Sequence, residues 1–406
     1  MTERAVDIAI IGAGPAGAFL ASRLAEAGRD VVLFDPKGAW EKPCGGGVPT
    51  RALREYGALL DRSDYPRKLI QRVTLVSPLL RRITIDFDEP FAIYSRQVLN
   101  GLVLDRAIEA GARFIRAAVV DFKREADAWQ IKTADGQMWR ARFLVGADGA
   151  ASPTRRKLVG IFPKQDLALA FGYNVTMSES ERPASTNGKA KSSDPYSEEV
   201  IVQFLRDFTG YVWAFPRPGV MNFGVASKLG ERTSDELRAI LKQFVADYYG
   251  GQLPEPERLS FFGAKIPTLD YASWKELQTV GEAWALIGDA AGFADPITGE
   301  GIYYAFKSAD LMAEALLESP AKGYDATTAT YEKNWRAAFG HDLERASRRL
   351  PLFYRGRFCG RIFTDAMILL ARYHRGVRRV LVRAVVGYQS YATLKRELLR
   401  SLLRVF

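Results

Sequence analysis

Three glycines near the start of the chain, Gly12, Gly14 and Gly17, stand in the spacing G-x-G-x-x-G, and Asp35 follows 23 positions after the first. In that spacing the first glycine permits a tight turn, the second lets backbone approach a pyrophosphate, and the third lets a helix lie close against a strand. A helix opening at this point, with Ala16 in its first turn, presents unpaired N–H groups and the positive end of its dipole to phosphates. The Asp35 carboxylate closes a second apolar run and is placed to accept hydrogen bonds from the hydroxyls of an adenosine ribose. A lone triplet of glycines is weak evidence. The apolar run at 6–11 before it, the helical stretch at 16–27 after it and the acid at this distance together predict a dinucleotide site.

A second glycine-rich turn narrows the dinucleotide. Gly288-Asp289-Ala290-Ala291 follows a short apolar run, and Pro296, Gly299, Gly301 and Ile302 open the next helical stretch. The Asp289 carboxylate suits a ribityl chain. The N–H groups around 298–302 suit the pyrimidine edge of a flavin, where the reduced ring carries negative charge. Between these two turns lies Lys42-Pro43-Cys44-Gly45-Gly46-Gly47. Three residues without side chains let backbone pass close to a flat ring. Cys44 beside them is either a gating or proton-relay thiol or a small buried hydrophobe. Tyr211, Trp213 and Phe215 alternate along a strand and so project from one face, where they wall an apolar cavity or fill a sheet core.

The elements that must hold these residues begin with a βαβ unit at the first residues of the chain. A helix is predicted within 94–111, strands at 113–115, 129–132 and 143–146, a long polar loop at 178–198, and a three-strand meander at 200–205, 211–215 and 221–226. A helix at 234–249 and a strand at 283–287 follow. The expected fold class is α/β: a Rossmann-type FAD-binding domain with an inserted, mostly antiparallel β substrate domain and a helical C-terminal tail. The expected boundaries are 1–75, 95–165 and 280–335 for the discontinuous FAD domain, 76–94 and 166–279 for the substrate domain, and 336–406 for the tail.

Composition excludes several classes. The chain has 406 residues, 48% hydrophobic, with no apolar run of the roughly 18 residues a transmembrane helix needs. Its start has no signal-peptide layout, so a cytoplasmic protein is expected. Two cysteines and two histidines, none in ligand spacing, predict no metal. The net charge of +10 is concentrated at the end: 341–406 holds 14 Arg and 1 Lys against 4 acidic residues, leaving the remainder near −1. That tail interleaves arginine with apolar residues, which predicts either a peripheral contact with the anionic inner face of a membrane or a solvated basic face packed on the body. No nucleic-acid motif accompanies the charge.

Several motifs taken together resemble one family. GDAAGFADPITGEG (288–301) and GADGAASPTRR (146–156) are similar to the cofactor signatures of p-hydroxybenzoate-hydroxylase-like flavoproteins. With KPCGGG (42–47) and GYVWAFP (210–216) they resemble the geranylgeranyl reductase family over roughly residues 6–306. The resemblance implies FAD as cofactor, with Asp148 and Gly149 in the cofactor fold, Arg155 bracing it and Arg96 touching it; Cys44, Gly45 and Gly46 border the flavin. It implies saturation of isoprenoid carbon–carbon double bonds by hydride from N5 of reduced flavin, on a prenylated lipid or free isoprenoid. Cys44, Tyr211 and Trp213 are then the catalytic candidates, and Tyr211, Trp213, Phe215, Gly46 and Gly47 line the substrate. NADPH or NADH is the expected electron donor, with ferredoxin the alternative, since no second G-x-G-x-x-G is present. The chain departs from the family pattern at Asp35, where glutamate is commoner, and at Phe208, where the family has proline. The rivals are a flavin monooxygenase or epoxidase, disfavoured by Gly292 where aromatic hydroxylases carry histidine, a halogenase, disfavoured by Tyr-Val-Trp-Ala-Phe-Pro in place of Trp-x-Trp-x-Ile-Pro, and an electron carrier to quinone.

Overall fold

A computed structural model describes residues 4–177, 199–318 and 323–403. The loop expected at 178–198 lies outside the described residues. In chain order the elements begin with β1 (Arg4–Ile11), α1 (Pro15–Glu26), β2 (Val31–Phe34), β3 (Gly47–Val48), α2 (Thr50–Glu55), α3 (Gly57–Leu60), β4 (Arg67–Val76), β5 (Arg82–Tyr94) and α4 (Arg96–Glu109). There follow β6 (Arg113–Ile115), β7 (Val119–Glu125), β8 (Ala128–Thr133), β9 (Met138–Gly146), α5 (Pro153–Leu158), β10 (Leu167–Thr176), β11 (Glu199–Phe204), β12 (Gly210–Arg217), β13 (Val220–Lys228) and α6 (Ser234–Tyr248). The rest comprises β14 (Leu259–Pro267), α7 (Tyr271–Lys275), β15 (Val280–Gly281), β16 (Trp284–Leu286), α8 (Ile302–Glu318), α9 (Tyr324–Trp335), α10 (His341–Arg355), a short hairpin β17 (Arg357–Phe358) and β18 (Arg361–Ile362), α11 (Phe363–Tyr373), α12 (Arg375–Val385) and α13 (Leu394–Leu403).

Two large sheets result. The first runs β15-β16-β9-β1-β2-β6, with β7 and β8 continuing from β9. Its centre is parallel: β1 pairs with β2 and with β9, and β16 with β9. The apolar runs of β1 and β2 are buried because helices cover both faces of a parallel sheet. Pro15 at the start of α1 costs no hydrogen bond, and Gly28 (φ 73°) ends the chain's turn out of it.

The second sheet runs β14-β10-β13-β12-β11-β4-β5-β3. It contains the expected meander β11-β12-β13. It also contains β4, which lies inside the segment expected to belong to the FAD domain. The cause is register: β4 pairs along its length with β5 and lies parallel to β11, so residues 67–75 belong with the second sheet. Helix α6, opened by a Thr233–Glu236 capping box, packs one face of this sheet. Helices α11 and α12 pack near its β4–β5 end through Ile368, Ala371 and Val377. The tail is therefore a structural wall of the β unit.

Candidate functional site

The three glycines of the first turn do different work. A Cβ on Gly12 (φ 105°) would lie 2.5 Å from the Ala147 carbonyl oxygen, and one on Gly17 would lie 1.9 Å from the Gly12 oxygen. Those two are fixed by protein packing. A Cβ on Gly14 would meet nothing within 4 Å among the described residues beyond its own chain neighbours, although Gly14 lines the cavity at the N-terminus of α1. Its openness fits a pyrophosphate. Asp35 ends β2 and is held by the N–H groups of Ala13, Lys37 and Gly38 at 2.9, 2.7 and 2.9 Å. Arg96, in the first turn of α4, is buried, lines the same cavity, and its Nε has no hydrogen-bond partner among the described residues. A buried guanidinium nitrogen left unpaired beside an open glycine turn fits an anionic cofactor group.

Asp148 is assigned more local work than the motif suggests. Its carboxylate accepts from the Ser152 hydroxyl and from Thr154 N–H at 2.9 Å, so it fastens the start of α5 while bordering the cavity with Gly149. Burial raises its pKa, and those hydrogen bonds oppose the rise. Arg155 is stacked 3.9 Å from the centre of the Phe162 ring and reaches the Ala290 carbonyl at 3.5 Å. Burial lowers it to about 10, against the attraction of Asp166.

The Cys44 loop is held by charges that carry no local sequence signal. Arg217, at the end of β12 and 4% exposed, pairs with Glu41 at 2.8 Å and donates to the carbonyls of Cys44 and Gly45. Glu41 in turn accepts from the N–H groups of Arg96 and Gln97, both at 3.1 Å, and from the Ser95 hydroxyl, capping α4. Burial raises the Glu41 pKa, but Ser95, Gln97 and Arg217 outweigh it and leave the carboxyl below its ordinary value. At Cys44 burial raises the thiol, and Arg96, the Gly46 N–H and Lys42 more than offset it, so the net direction is down. Lys42 also forms an ion pair with Asp289 at 2.8 Å across the cavity rim. The triple glycine is required by protein as well as by any ring. A Cβ on Gly45 would lie 2.8 Å from the Phe215 ring, and one on Gly46 (φ 81°) 2.0 Å from the Tyr94 oxygen.

Tyr211, Trp213 and Phe215 do share one face and line the cavity with Gly46 and Gly47, the ring centres stepping by 5.7 and 6.3 Å. Their polar atoms are already engaged. The Trp213 Nε1 donates to Asn222 at 2.8 Å, so this side chain presents its ring to the cavity as a wall. The Tyr211 hydroxyl donates to the Thr298 carbonyl, and burial, then Cys44 and Asp295, push its pKa well up. Phe208, at the family's proline position, is buried in the core beneath α6.

The second glycine turn has a carboxylate cluster that the sequence did not announce. Buried Asp295 accepts from Ile297 N–H at 2.8 Å, Thr298 N–H at 3.2 Å and the Tyr391 hydroxyl at 2.8 Å. The Gly299 N–H goes to the Asp295 carbonyl and the Glu300 N–H to the Thr298 hydroxyl. The run 298–302 therefore spends most of its donors internally, and Gly301 is the residue of that run left with no acceptor among the described residues. Pro296 precedes the loop and Ile302 begins α8. Glu300 borders the cavity and accepts from Tyr303 N–H at 2.8 Å. Burial, with a smaller push from Asp295 and Asp289, takes it up to about 8. At Gly292 (φ 89°) a Cβ would lie 3.0 Å from the Leu269 side chain, so a histidine there would be strained.

One cavity of about 740 Å³ connects these parts. It runs from the Gly12–Gly14 turn past Cys44 and Glu300 to the aromatic wall. Beyond that it is apolar, bounded by Val73, Val200 and Phe204 of the sheet and by Met367, Val380, Leu381 and Leu398 of the terminal helices. No group of potential metal ligands occurs among the described residues.

Comparison with known proteins agrees with this arrangement. Residues 5–192 match the FAD binding domain family. The chain is 29% identical over 320 residues to a geranylgeranyl diphosphate reductase of Rhodobacter capsulatus, covering 77% of this chain and 75% of that protein. By sequence the chain is an FAD-dependent oxidoreductase similar to the geranylgeranyl diphosphate reductases. Another relative, a menaquinone reductase of Mycobacterium tuberculosis, is also 29% identical, over 338 residues and 77% of each chain. A geranylgeranyl bacteriochlorophyll reductase-like protein of Thermoplasma acidophilum has the same fold, with a TM-score of 0.72 at 19% identity over 94% of this chain and 99% of that one.

Proposed function

We propose that this FAD-dependent oxidoreductase saturates carbon–carbon double bonds in an isoprenoid chain. The supporting observation is continuity: the cofactor cradle opens, past Cys44, directly into an apolar cavity walled by Tyr211, Trp213 and Phe215. When bound, reduced FAD supplies the hydride. The chain's own residues position and dry the alkene, because an isolated double bond has no polar handle and reacts only when held in line with water excluded. The Glu300 carboxyl, which burial keeps protonated to about pH 8, stands at the cavity wall to hold the proton for the second carbon, and the Cys44 sulfur lines the same cavity. Electrons reach the flavin from NADPH or NADH, with ferredoxin the alternative donor.

No described helix is long and apolar enough to cross a membrane. We assign α12 a peripheral role: Val377, Val380, Leu381 and Ala384 border the cavity, while Arg375, Arg379 and Arg383, at i, i+4 and i+8, lie exposed on the opposite side. These three arginines form no ion pair among the described residues, and the surface they suit is anionic lipid on the inner face of a membrane.

The test is anaerobic. The flavin is reduced with dithionite, a geranylgeranyl lipid is added, and reoxidation is followed together with the lipid's mass. The expected result is reoxidation with a gain of two hydrogens per double bond, slowed at least tenfold in Cys44→Ser with FAD still bound. A flavin that stays reduced with every prenyl head group until air is admitted sinks the proposal. A quinone is the second reading, suggested by the relative named menaquinone reductase. Mass fragments carrying the new hydrogens on a ring rather than a chain would select it.

A further inference from the structure

Two tight hairpins are fastened to the start of α11, and both present apolar side chains at the surface. Between β4 and β5 the chain turns through Pro78, Leu79 and Leu80. The Leu80 N–H donates to the Ser77 carbonyl at 2.9 Å and the Ser77 N–H to the Arg81 carbonyl at 2.8 Å. This is a three-residue loop, a type I turn closed by a left-handed residue, and glycine is the residue that position favours. Here Leu80 occupies it, with φ 60°. Leu79 and Leu80 are 44% and 68% exposed, so the chain accepts backbone strain at Leu80 and gains no burial from it. The second hairpin joins β17 to β18 through Cys359 (φ 49°) and Gly360 (φ 75°), with Phe358 39% exposed beside the turn. The Ser77 hydroxyl donates to the buried Asp365 carboxylate at 2.7 Å and Arg81 pairs with it at 3.2 Å, which ties the first hairpin to α11. The second is tied by the Phe363 N–H, which donates to the Gly356 carbonyl at 2.9 Å. Arg82, Arg357 and Arg361 flank the two turns, are exposed, and form no ion pair among the described residues. The elements that carry the hairpins also wall the apolar part of the cavity, through Val73 and Leu75 of β4 and Phe363 and Met367 of α11.

Apolar tips beside unpaired arginines match the layering of a bilayer with anionic head groups. Leucine and phenylalanine side chains reach the acyl boundary, while the guanidinium groups stay level with the phosphates. We propose that the tips at Leu79–Leu80 and at Phe358 insert into an anionic lipid surface and set the apolar end of the cavity beside it. The strain at Leu80 then has a return that a glycine could not give, since glycine has nothing to bury in lipid. The proposal rests on the peripheral-membrane reading of α12 and goes further with different residues. There the contact is charge on a helix face; here it is penetration by two turns.

The experiment uses the full-length holoenzyme and the double variant Leu79→Asn, Leu80→Gly, which installs residues such a turn favours. Its melting temperature should equal or exceed that of the wild type, so lost binding is not lost fold. Sedimentation with vesicles of phosphatidylserine and phosphatidylcholine measures affinity, and it should fall at least tenfold in the variant. A second readout places a nitrobenzoxadiazole label on the exposed Cys359, with labelled Cys359→Ser protein giving the background from Cys44. On vesicles the label's emission should rise, shift to the blue and be quenched by doxyl-labelled lipid. A double variant that binds like wild type, or a label that stays in water, overturns the proposal. If vesicle binding depends on Arg375, Arg379 and Arg383 but not on the leucines, the tips have failed and the reading of α12 stands. Wild-type protein that binds no vesicle overturns both. A wild-type dimer that the double variant turns into a monomer, with vesicle binding unchanged, assigns the tips to a second copy of the chain and overturns the lipid proposal.

Discussion

Gly14 and Gly17 sit three residues apart in one turn, yet replacing each with alanine should break different things. At Gly17 the new methyl would fall 1.9 Å from the Gly12 oxygen, where real contacts of this kind come no closer than 3.0 Å. Relief requires α1 to retreat by about 1.1 Å, while α1 is packed against both α4 and α8. Neither colliding group is a flexible side-chain end, so the cost belongs at the upper end of overpacking, about 3 kcal/mol. Gly14 has ordinary backbone angles (φ −70°, ψ −178°) and open space around it. Alanine there gains a few tenths of a kcal/mol from a stiffer unfolded chain and loses about as much as a poorer N-cap. Its stability should stay within about 1 kcal/mol of wild type. Its cost falls on the cofactor, since the methyl occupies the space a pyrophosphate would approach; FAD affinity should drop at least tenfold, or about 1.4 kcal/mol. Urea denaturation of flavin-stripped protein gives the first quantity, and FAD titration by fluorescence quenching gives the second. Gly14→Ala protein that unfolds as early as Gly17→Ala, or that binds FAD like wild type, refutes the reasoning.

Two further outcomes are expected. Glu300 has a folded pKa near 8 against an ordinary 4.5, so the fold favours its protonated form; that stability is complete below about pH 4.5 and is lost as pH rises toward 8. The slope is at most about 1.4 kcal/mol per pH unit, and Glu300→Gln should flatten it in denaturant titrations of the flavin-stripped protein between pH 5 and 8; an unchanged difference between wild type and variant across that range contradicts the burial assigned to the carboxyl. Replacing Arg375, Arg379 and Arg383 with glutamine should weaken sedimentation with phosphatidylserine vesicles by roughly 100-fold, at about 1 kcal/mol per arginine, and wild-type binding should fade with salt. Binding that ignores both salt and these residues would remove α12 from the membrane.

The sequence made legible what short-range patterns encode. The glycine spacing located the first turn because a tight turn, an open face and a close helix contact each need a residue without a side chain at a fixed offset. The alternation of Tyr211, Trp213 and Phe215 located the aromatic wall because strand geometry sends every second residue to one side. Arg217, Glu41 and Lys42 were not legible, since their partners lie between about 50 and 250 positions away and an ion pair leaves no periodic trace. The placement of β4 was missed for the same reason: its parallel partner β11 is more than a hundred residues distant. The arginine-rich tail showed its amphipathic character plainly. What it faces, the cavity, only the assembled sheet could show.

Arg217 has a consequence that reaches beyond its own contacts. It ends the strand whose side chains wall the substrate cavity, and it holds the carboxylate that caps the helix carrying Arg96. A molecule that displaces β12 therefore pulls on the cofactor cradle through the Arg217–Glu41 ion pair, whose guanidinium is buried. By thermodynamic reciprocity, whatever factor such a molecule imposes on flavin affinity, the flavin imposes on it in return. If the cavity beside β12 takes a ligand, its binding isotherm and that of the flavin should not be independent.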